Sequence, residues 1–557
     1  MPKFLKMTNK EIANSFNTLA KLMELHGENQ FKIRSYQNAY RRLRSWEEPL
    51  EAMDETDINA IQGVGKAITG KIMELVHDGQ MKTLQRYIDQ TPPGIVEMLN
   101  IKGFGPKKIK AVWQGLGVES IGELLYAANE NRLVALNGFG QKTQEDLKQK
   151  LEYYQQSKGK FLLAEIKDYG ANLVDQIQTF LPAAEVGVVG KLRRNNNVVD
   201  RVEVLIANDG GIESLFINGL FELTKQEKHI YYVQSNEDIP VVIYTCEKDE
   251  FGSKLFRYSG SKDFLEAFVK SFPNQDFKGM ANEKDIFDKA AIPFIQPEMR
   301  ESEWAVELAK SGKLPVLIEE SDIKGVLHAH STYSDGMATL QQMAKRTMDL
   351  GYEYLGITDH SKSAFYANGL KPDRVWAQFQ EVNKLNLAFA PFKIFKGIES
   401  DILNDGSLDY EDDLLAQFDF IIASIHSNLK MDETKATNRI LKAVENPYTT
   451  ILGHLTSRLL LSRKGYPVDT AKIIDACAAN GVAIEINANP YRLDLDWRWI
   501  PYALERAVPI AINPDAHSLD GIKDIKYGVL SARKGGLTKE SCLNSMTAQE
   551  FENFITK

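Results

Sequence analysis

The sequence predicts a multidomain chain: an α-helical N-terminal region, an α+β middle and a C-terminal (β/α)7 barrel. Three observations predict it. A Gly-apolar-Gly turn recurs three times between residues 61 and 142, each followed by a helical stretch. Strand-like apolar runs gather between residues 184 and 246. From Ile323 onward, seven short apolar runs alternate with helical stretches, and polar residues stand at their ends. A length of 557 residues fits several domains, and a 43% hydrophobic content lets each bury a core. No run of about 18 apolar residues occurs, which predicts no membrane span. The start, MPKFLKMTNKEIANSF, lacks the apolar stretch and cleavage site of a secretory signal. Cys246, Cys477 and Cys542 are odd in number and far apart, which argues against a disulfide framework and for a reducing cytoplasm. The net charge of −9 is unevenly spread: residues 1–150 carry 21 Lys and Arg against 18 Asp and Glu, a net of +3 that leaves −12 for the rest. An acidic back half repels phosphate unless bound cations reverse its field.

The three N-terminal turns are Ile61 to Ile68, Ile101 to Ile109 and Leu136 to Thr143. Their glycines are Gly63 and Gly65, Gly103 and Gly105, and Gly138 and Gly140, followed by Lys66, Lys107 and Lys142. Paired glycines expose the backbone in a tight turn, and the next helix begins with free N–H groups that seat a phosphate. Such contacts hold a nucleic-acid backbone without reading bases. A single Gly-x-Gly is weak evidence; three in 80 residues resemble the helix-hairpin-helix motifs of DNA repair proteins. The stretch from Phe31 to Arg44 interleaves aromatics with cations and suits a DNA-facing helix.

The middle region begins with helical pattern from Lys160 to Leu181 and continues with runs at Ala184–Gly190, Val198–Ala207 and Pro240–Cys246. With the N-terminal motifs, it resembles the palm of the DNA polymerase X family, which carries Gly-Ser, an arginine pair, Asp-x-Asp on one strand and a third Asp on a later strand. Those carboxylates hold two metal ions for nucleotidyl transfer. Here the positions read Gly190-Lys191, Arg193-Arg194, Arg201-Val-Glu203 and Val242, while Asp200 is one residue out of phase. Tyr258 to Lys262 resembles the family's later Thr-Gly-Ser turn. The resemblance implies a retained fold without polymerase chemistry. Lys71 falls where some members place a Schiff-base lysine; an ordinary surface lysine is the favoured reading.

In the C-terminal region, His328, His330 and Asp335 follow the first apolar run, Asp359 and His360 the second, Glu399 the third, His426 the fourth and His454 the fifth. Glu485, Asn487 and Asn489 follow the sixth, and Asp515 and His517 the seventh. Six of the chain's nine histidines lie here, all at run ends, where barrels of parallel strands place function. His-x-His puts two imidazoles on one side of an extended chain. Imidazole and carboxylate without cysteine suit Zn²⁺, Mn²⁺ or Fe²⁺ in a catalytic site, and Glu399 can bridge two ions. Such ions polarise a phosphoryl oxygen and activate water near neutral pH.

This set resembles the PHP (polymerase and histidinol phosphatase) family over residues 323 to about 530. The resemblance implies a distorted seven-stranded barrel with three divalent ions. His328, His330, Glu399 and Asp515 would hold one ion, Glu399, His426 and His454 a second, and Asp335, His360 and His517 a third. Arg492 is a candidate catalytic residue on the substrate phosphate, against the alternative of an ion pair with Asp494 or Asp496. Lys362 and Arg458 are further phosphate candidates. Gly453-His-Leu-Thr-Ser457 departs from an expected Gly-His-Pro-Thr-Gly, which alters a loop and no ligand.

The expected domains are a helical DNA-binding domain with the first hairpin (1–80), a fingers-like hairpin region (81–155), a degenerate polymerase X palm and thumb (156–318) and a PHP phosphoesterase domain (319–557). This order resembles the bacterial branch of the X family. It implies a Mn²⁺-dependent 3′–5′ exonuclease of DNA repair, in the cytoplasm at the nucleoid, acting on gapped, frayed or single-stranded 3′ ends, with room for repair-protein partners. Two alternatives stand beside it: a small-molecule phosphatase of the histidinol-phosphatase type, and a DNA-binding scaffold with structural metals.

Overall fold

The computed structural model describes residues 7–556 apart from positions 45, 47, 102, 157–158, 208–210 and 238. Two compact units result, Met1–Tyr153 and Tyr154–Lys557. The first is helical. Its opening helix, Asn9–Leu25, starts at a Thr8–Glu11 capping box and buries Ile12, Phe16, Leu19 and Met23. The helix Gln30–Arg44 buries Ile33, Tyr36, Ala39 and Leu43, leaving Lys32, Arg34, Arg41, Arg42 and Arg44 on its solvent side.

The second unit begins with β1 (Phe161–Leu162), the helix Leu163–Phe180 and β2 (Glu185–Val189), followed by β3 (Val198–Val199), β4 (Val202–Ala207), β5 (Phe221–Glu227), β6 (Ile230–Ser235) and β7 (Pro240–Cys246). β1 pairs with β3, and the others form a five-stranded sheet in the order β2-β4-β7-β6-β5. The expected continuous run from Val198 to Ala207 is broken: Asp200 and Arg201 form a bend between β3 and β4. Asp200 therefore lies outside β4, where Lys191 holds it at 2.9 Å.

Seven parallel strands follow: β8 (Gly325–Val326), β9 (Tyr354–Ile357), β10 (Lys393–Asp401), β11 (Phe420–Ser424), β12 (Ile451–Leu452), β13 (Ala483–Asn487) and β14 (Ile510–Asn513). Each neighbours the next, forming a nearly closed barrel. A parallel bridge between Ala329 and Ala516 draws the ends together: His330 N–H donates to the Ala516 carbonyl at 2.9 Å, and Ala516 N–H to that of His328 at 3.3 Å. The closure thus runs through the ligand-bearing segments. The opposite end is apolar. Tyr354, Phe420, Ile451 and Ala483, each the first residue of its strand, pack with Phe551 of the C-terminal helix Ala548–Ile555. One mouth is plugged with aromatics, and the strand C-termini are left to carry chemistry.

Within this unit the palm-like sheet and the barrel are pinned by Lys534, which ends the helix Ile525–Lys534. Its ammonium, 1% exposed, donates to the Arg194 carbonyl at 2.8 Å, Asn196 Oδ1 at 3.1 Å and Glu301 Oε1 at 2.7 Å.

Candidate metal centre

Glu399 lies fully buried on β10 with imidazoles on several sides. His454 Nε2 is 3.0 Å and His426 Nε2 3.1 Å from Oε1, and His328 Nε2 is 3.4 Å away. His360 Nδ1 is 2.9 Å and His330 Nε2 3.7 Å from Oε2. Asp515 approaches His330 at 3.0 Å and His328 at 3.4 Å, and Asp335 approaches His517 at 3.3 Å and His360 at 3.6 Å. All nine sequence-derived positions converge in one mouth, although they span residues 328 to 517.

Among the described residues of this unit, donor atoms gather into three groups, each within 4.8 Å: His330, Asp335, His360 and His517; His328, His330 and Asp515; and His360, Glu399 and His426. These overlap the division drawn from the family resemblance. They differ in that His330 and His360 each fall in two groups, and His454 meets the cluster through Glu399. Several facing atoms are buried and make no hydrogen bond: His328 Nε2, His330 Nδ1, both ring nitrogens of His360 and Glu399 Oε2. Buried polar atoms are nearly always satisfied. Lone pairs held near one another without hydrogen-bond geometry fit a site built for cations. The all-nitrogen-and-oxygen donor set fits a divalent ion of the hard or borderline class.

The electrostatics agree. Burial acts to raise the Glu399 carboxyl, but His426, His328 and His360 hold it well below the usual range. Asp515 is likewise held low against burial by His328 and His330. Burial, with His517 and His360 beside it, pushes His330 down to about 3, leaving a neutral imidazole. Burial also lowers His426, yet Glu399 and Asp401 outweigh it and push this group up to about 9.

Four further acids shape the site, and the sequence reading gave none of them a part in positioning the candidate ligands. Glu485 Oε2 sits 2.7 Å from His328 Nδ1 and accepts from Asn513 Nδ2 at 3.0 Å, while its Oε1 accepts from His454 N–H at 3.1 Å and Asn487 Nδ2 at 3.2 Å. Asp401, two residues beyond Glu399, meets His426 Nδ1 at 2.5 Å. Partners of this kind fix which nitrogen faces an ion. Asp359 accepts from Ser331, Ser334 and Gln378, bracing the loop that carries Asp335. Asp494 accepts from Thr456 N–H and Oγ1, both at 2.9 Å, bracing the turn after His454. The available signal was alternation: Asp401 repeats the inward phase of Glu399, and Glu485 and Asn487 share one phase on β13.

Arg492 is 3% exposed, with Nε 3.9 Å from Asp515 Oδ2, and close enough to His454 to add to the lowering that burial causes there. Arg458 is committed elsewhere: it donates to the carbonyls of Arg492 and Leu493 and pairs with Asp496 at 2.5 Å, so it holds a loop in shape. Lys362 is exposed, with Nζ 5.4 Å from the Tyr410 ring centre.

In the palm-like sheet, register places Val242 directly beside Glu203. Glu203 accepts from Tyr244 Oη at 2.9 Å and Arg201 Nη2 at 3.2 Å. The arginine pair is turned inward. Arg193 is bidentate to Glu283 at 2.6 and 2.8 Å, and Arg194 binds the Ser259 carbonyl at 2.9 Å and Glu301 at 3.1 Å.

In the helical unit, Gly63, Gly103 and Gly138 have φ of +88°, +83° and +89°, which favours glycine. Gly65 and Gly105 cap the helices Lys66–Asp78 and Pro106–Leu116 without a side-chain cap, and Gly140 precedes Gln141–Gln156. A Cβ at Gly63, Gly65, Gly105, Gly138 or Gly140 would meet nothing within 4 Å, so these turns are open to a close-approaching backbone. Lys66, Lys107 and Lys142 are exposed beside them, and Lys71 is half-buried. Phe104 and Phe139, the apolar residues of the second and third turns, meet edge to face at 6.3 Å.

Comparison with known proteins matches residues 7–81 to a helix-hairpin-helix domain, 95–152 to a SAM-like helix-hairpin-helix tandem and 327–489 to a PHP domain. The chain is 32% identical to the DNA polymerase/3′-5′ exonuclease PolX of Bacillus subtilis (strain 168), over 99% of this chain and all of that one. It is 28% identical to a probable phosphatase of Thermoanaerobacter sp. (strain X514), over 40% of this chain and 91% of the relative. A probable phosphatase of Clostridium acetobutylicum is 30% identical over 29% of this chain and 63% of its own.

Proposed function

Because the chain belongs to the PolX DNA polymerase/3′-5′ exonuclease family, with its helix-hairpin-helix and PHP domains, we propose that it is a DNA-processing phosphoesterase whose working activity is Mn²⁺-dependent 3′–5′ hydrolysis. The observation that carries this reading is the convergence of nine donor residues, five imidazoles among them round Glu399, with buried lone pairs left unbonded. Three divalent ions are proposed, with Mn²⁺ the first choice and Zn²⁺ or Fe²⁺ within reach of the same donors. The chemistry such ions supply is Lewis-acid activation of water and of the phosphoryl group. The chain's own part is to hold neutral imidazoles and ionised carboxylates in place, with Glu485 and Asp401 orienting His328 and His426. Arg492 is proposed to receive a substrate phosphate; Asp496, one of the acids that would have neutralised it, pairs with Arg458. The glycine turns and their lysines hold the DNA backbone of gapped, frayed or single-stranded 3′ ends. Among the described residues no helix is long and apolar enough to cross a membrane, and a cytoplasmic site of action at the nucleoid, alongside repair proteins, is proposed.

Nucleotidyl transfer is proposed to be lost. Val242 offers no ligand, and Arg201 occupies Glu203. Primer extension with Mg²⁺ or Mn²⁺ should give no product; extension abolished by Glu203→Ala would overturn this part. A second reading, a phosphatase of small esters, is favoured by the probable phosphatases that match part of the chain, but it gives the hairpin turns no task. The two are separated by incubating the protein with Mn²⁺ and 5′-labelled single-stranded and gapped DNA, alongside histidinol phosphate. A ladder shortening from the 3′ end, lost in His330→Ala while DNA binding persists, is expected. Phosphate released only from the small ester would overturn the nuclease reading.

A further inference from the structure

We propose that Phe365 is a base-stacking residue at the rim of the metal centre, so that the site selects a nucleic-acid strand end by gripping a nucleobase close to the cleaved phosphodiester. This rests on the nuclease reading above and adds a residue that recognises the substrate.

Phe365 lies five residues beyond His360, on the loop leaving β9, and is 84% exposed. A solvated phenyl ring is unremarkable on a mobile loop, but this loop is tied down along its length. Ser361 N–H donates to the Glu399 carbonyl at 3.0 Å, and Ser361 Oγ accepts from Asp401 N–H at 3.0 Å. Ser363 gives its N–H to Asp409 at 2.6 Å and its hydroxyl to Asp401 at 2.7 Å. Leu370 N–H returns to the His360 carbonyl at 2.8 Å. The same Asp401 holds His426, so the loop's anchor is shared with a candidate ligand. The ring is thus displayed in water by a fixed frame, forgoing the stabilisation that burial of its apolar surface would bring.

What it faces is set by its neighbours. Tyr366 packs edge to face against Phe365 at 5.9 Å, and the Tyr366 ring centre is 6.4 Å from that of His360. The aromatic pair therefore leads from solvent to the imidazole. Lys362, exposed on the same loop, supplies a cation. An exposed ring on a loop that also carries a cation suits single strands, which bind through base stacking and backbone charge, tolerant of sequence because every base has a π-face. A small phosphate ester has no base to stack and does not need it.

Stacking on one aromatic is worth roughly 1–3 kcal/mol by alanine substitution, or about 5- to 150-fold in binding. The test uses the full chain with Mn²⁺ and two 5′-labelled oligonucleotides. They are identical except that the last two 3′ units of one are tetrahydrofuran residues without bases. In the unaltered protein KM should be about 10-fold lower for the base-bearing end. Phe365→Ala should erase that difference by raising KM for the base-bearing end alone, with kcat little changed, and Phe365→Trp should restore it. Unchanged cleavage of the baseless end by Phe365→Ala shows that the variant is folded. KM unmoved by Phe365→Ala, or equal losses on both ends, would overturn the proposal. An unaltered protein that shortens neither oligonucleotide would overturn the nuclease reading itself, and this proposal with it.

Discussion

Replacing Glu485 with glutamine should weaken divalent-ion binding although Glu485 belongs to none of the donor groups. Its two oxygens accept from four directions: His328 Nδ1 and Asn513 on one side, His454 N–H and Asn487 on the other. Glutamine keeps the shape but carries one acceptor and one NH2. If the carbonyl faces His328, the NH2 confronts two donors, His454 N–H and the Asn487 amide. If the NH2 faces His328, the imidazole must move its proton to Nε2, the atom aimed at the metal. Either arrangement removes a charge-assisted hydrogen bond worth about 1.5–3 kcal/mol. At tenfold for about each 1.4 kcal/mol, that is roughly a 10- to 150-fold loss of affinity, in line with the usual effect of such outer partners. The assay is calorimetric titration of metal-free Glu485→Gln and unaltered protein with Mn²⁺, with circular dichroism confirming the fold. A folded variant that binds Mn²⁺ as tightly as the parent would refute the orienting role.

Three other outcomes follow from the same geometry. His426 is pushed up to about 9 and His328 well above its ordinary value. Their contribution to metal-free stability is therefore full below about pH 6.5 and fades as pH rises through the folded values. Metal must displace those protons, so Mn²⁺ affinity should climb between pH 6.5 and 9 with proton release; a flat pH profile in calorimetry would count against it. Converting Lys66, Lys107 and Lys142 to alanine together should weaken DNA binding for any sequence and reduce the salt dependence of log K by about 3, roughly one unit for each lost phosphate contact; an unchanged slope in fluorescence anisotropy would remove the hairpins from the interface. Lys534→Met should cost about 1–3 kcal/mol in urea denaturation, because Glu301 and the Arg194 carbonyl lose a buried donor; an unchanged midpoint would mean the pin is idle.

Much of the site was legible in the sequence because barrel chemistry collects at strand ends, and a strand end shows itself as an apolar run that stops. His328, His330, His360, His426 and His454 could each be found without coordinates. The orienting roles of the outer acids could not, since alternation puts Asp401 and Glu485 on the inward face without saying which histidine each meets. Asp401 lies inside β10, which runs to Asp401 although the apolar pattern stopped near Phe395. The division of donors was also unreadable, because it depends on χ angles that bring His360 Nδ1 to 2.9 Å from Glu399. In the palm-like sheet the residues at the expected carboxylate positions were readable, but the fate of the arginines was not. That Arg193 turns to Glu283 and Arg194 to Glu301 follows from tertiary packing with residues 90 and 107 positions onward. The contacts of Arg458 were hidden for the same reason: a cation after a ligand strand looks like a phosphate receptor until the loop it ties down is seen.

The central claim, that these imidazoles and acids share divalent cations, is tested most directly by metal analysis of the protein. The purified, folded chain stripped by a chelator and then titrated with Mn²⁺ should take up about three ions. Folded protein that arrives without transition metal and accepts none from Mn²⁺, Zn²⁺ or Fe²⁺ would contradict it.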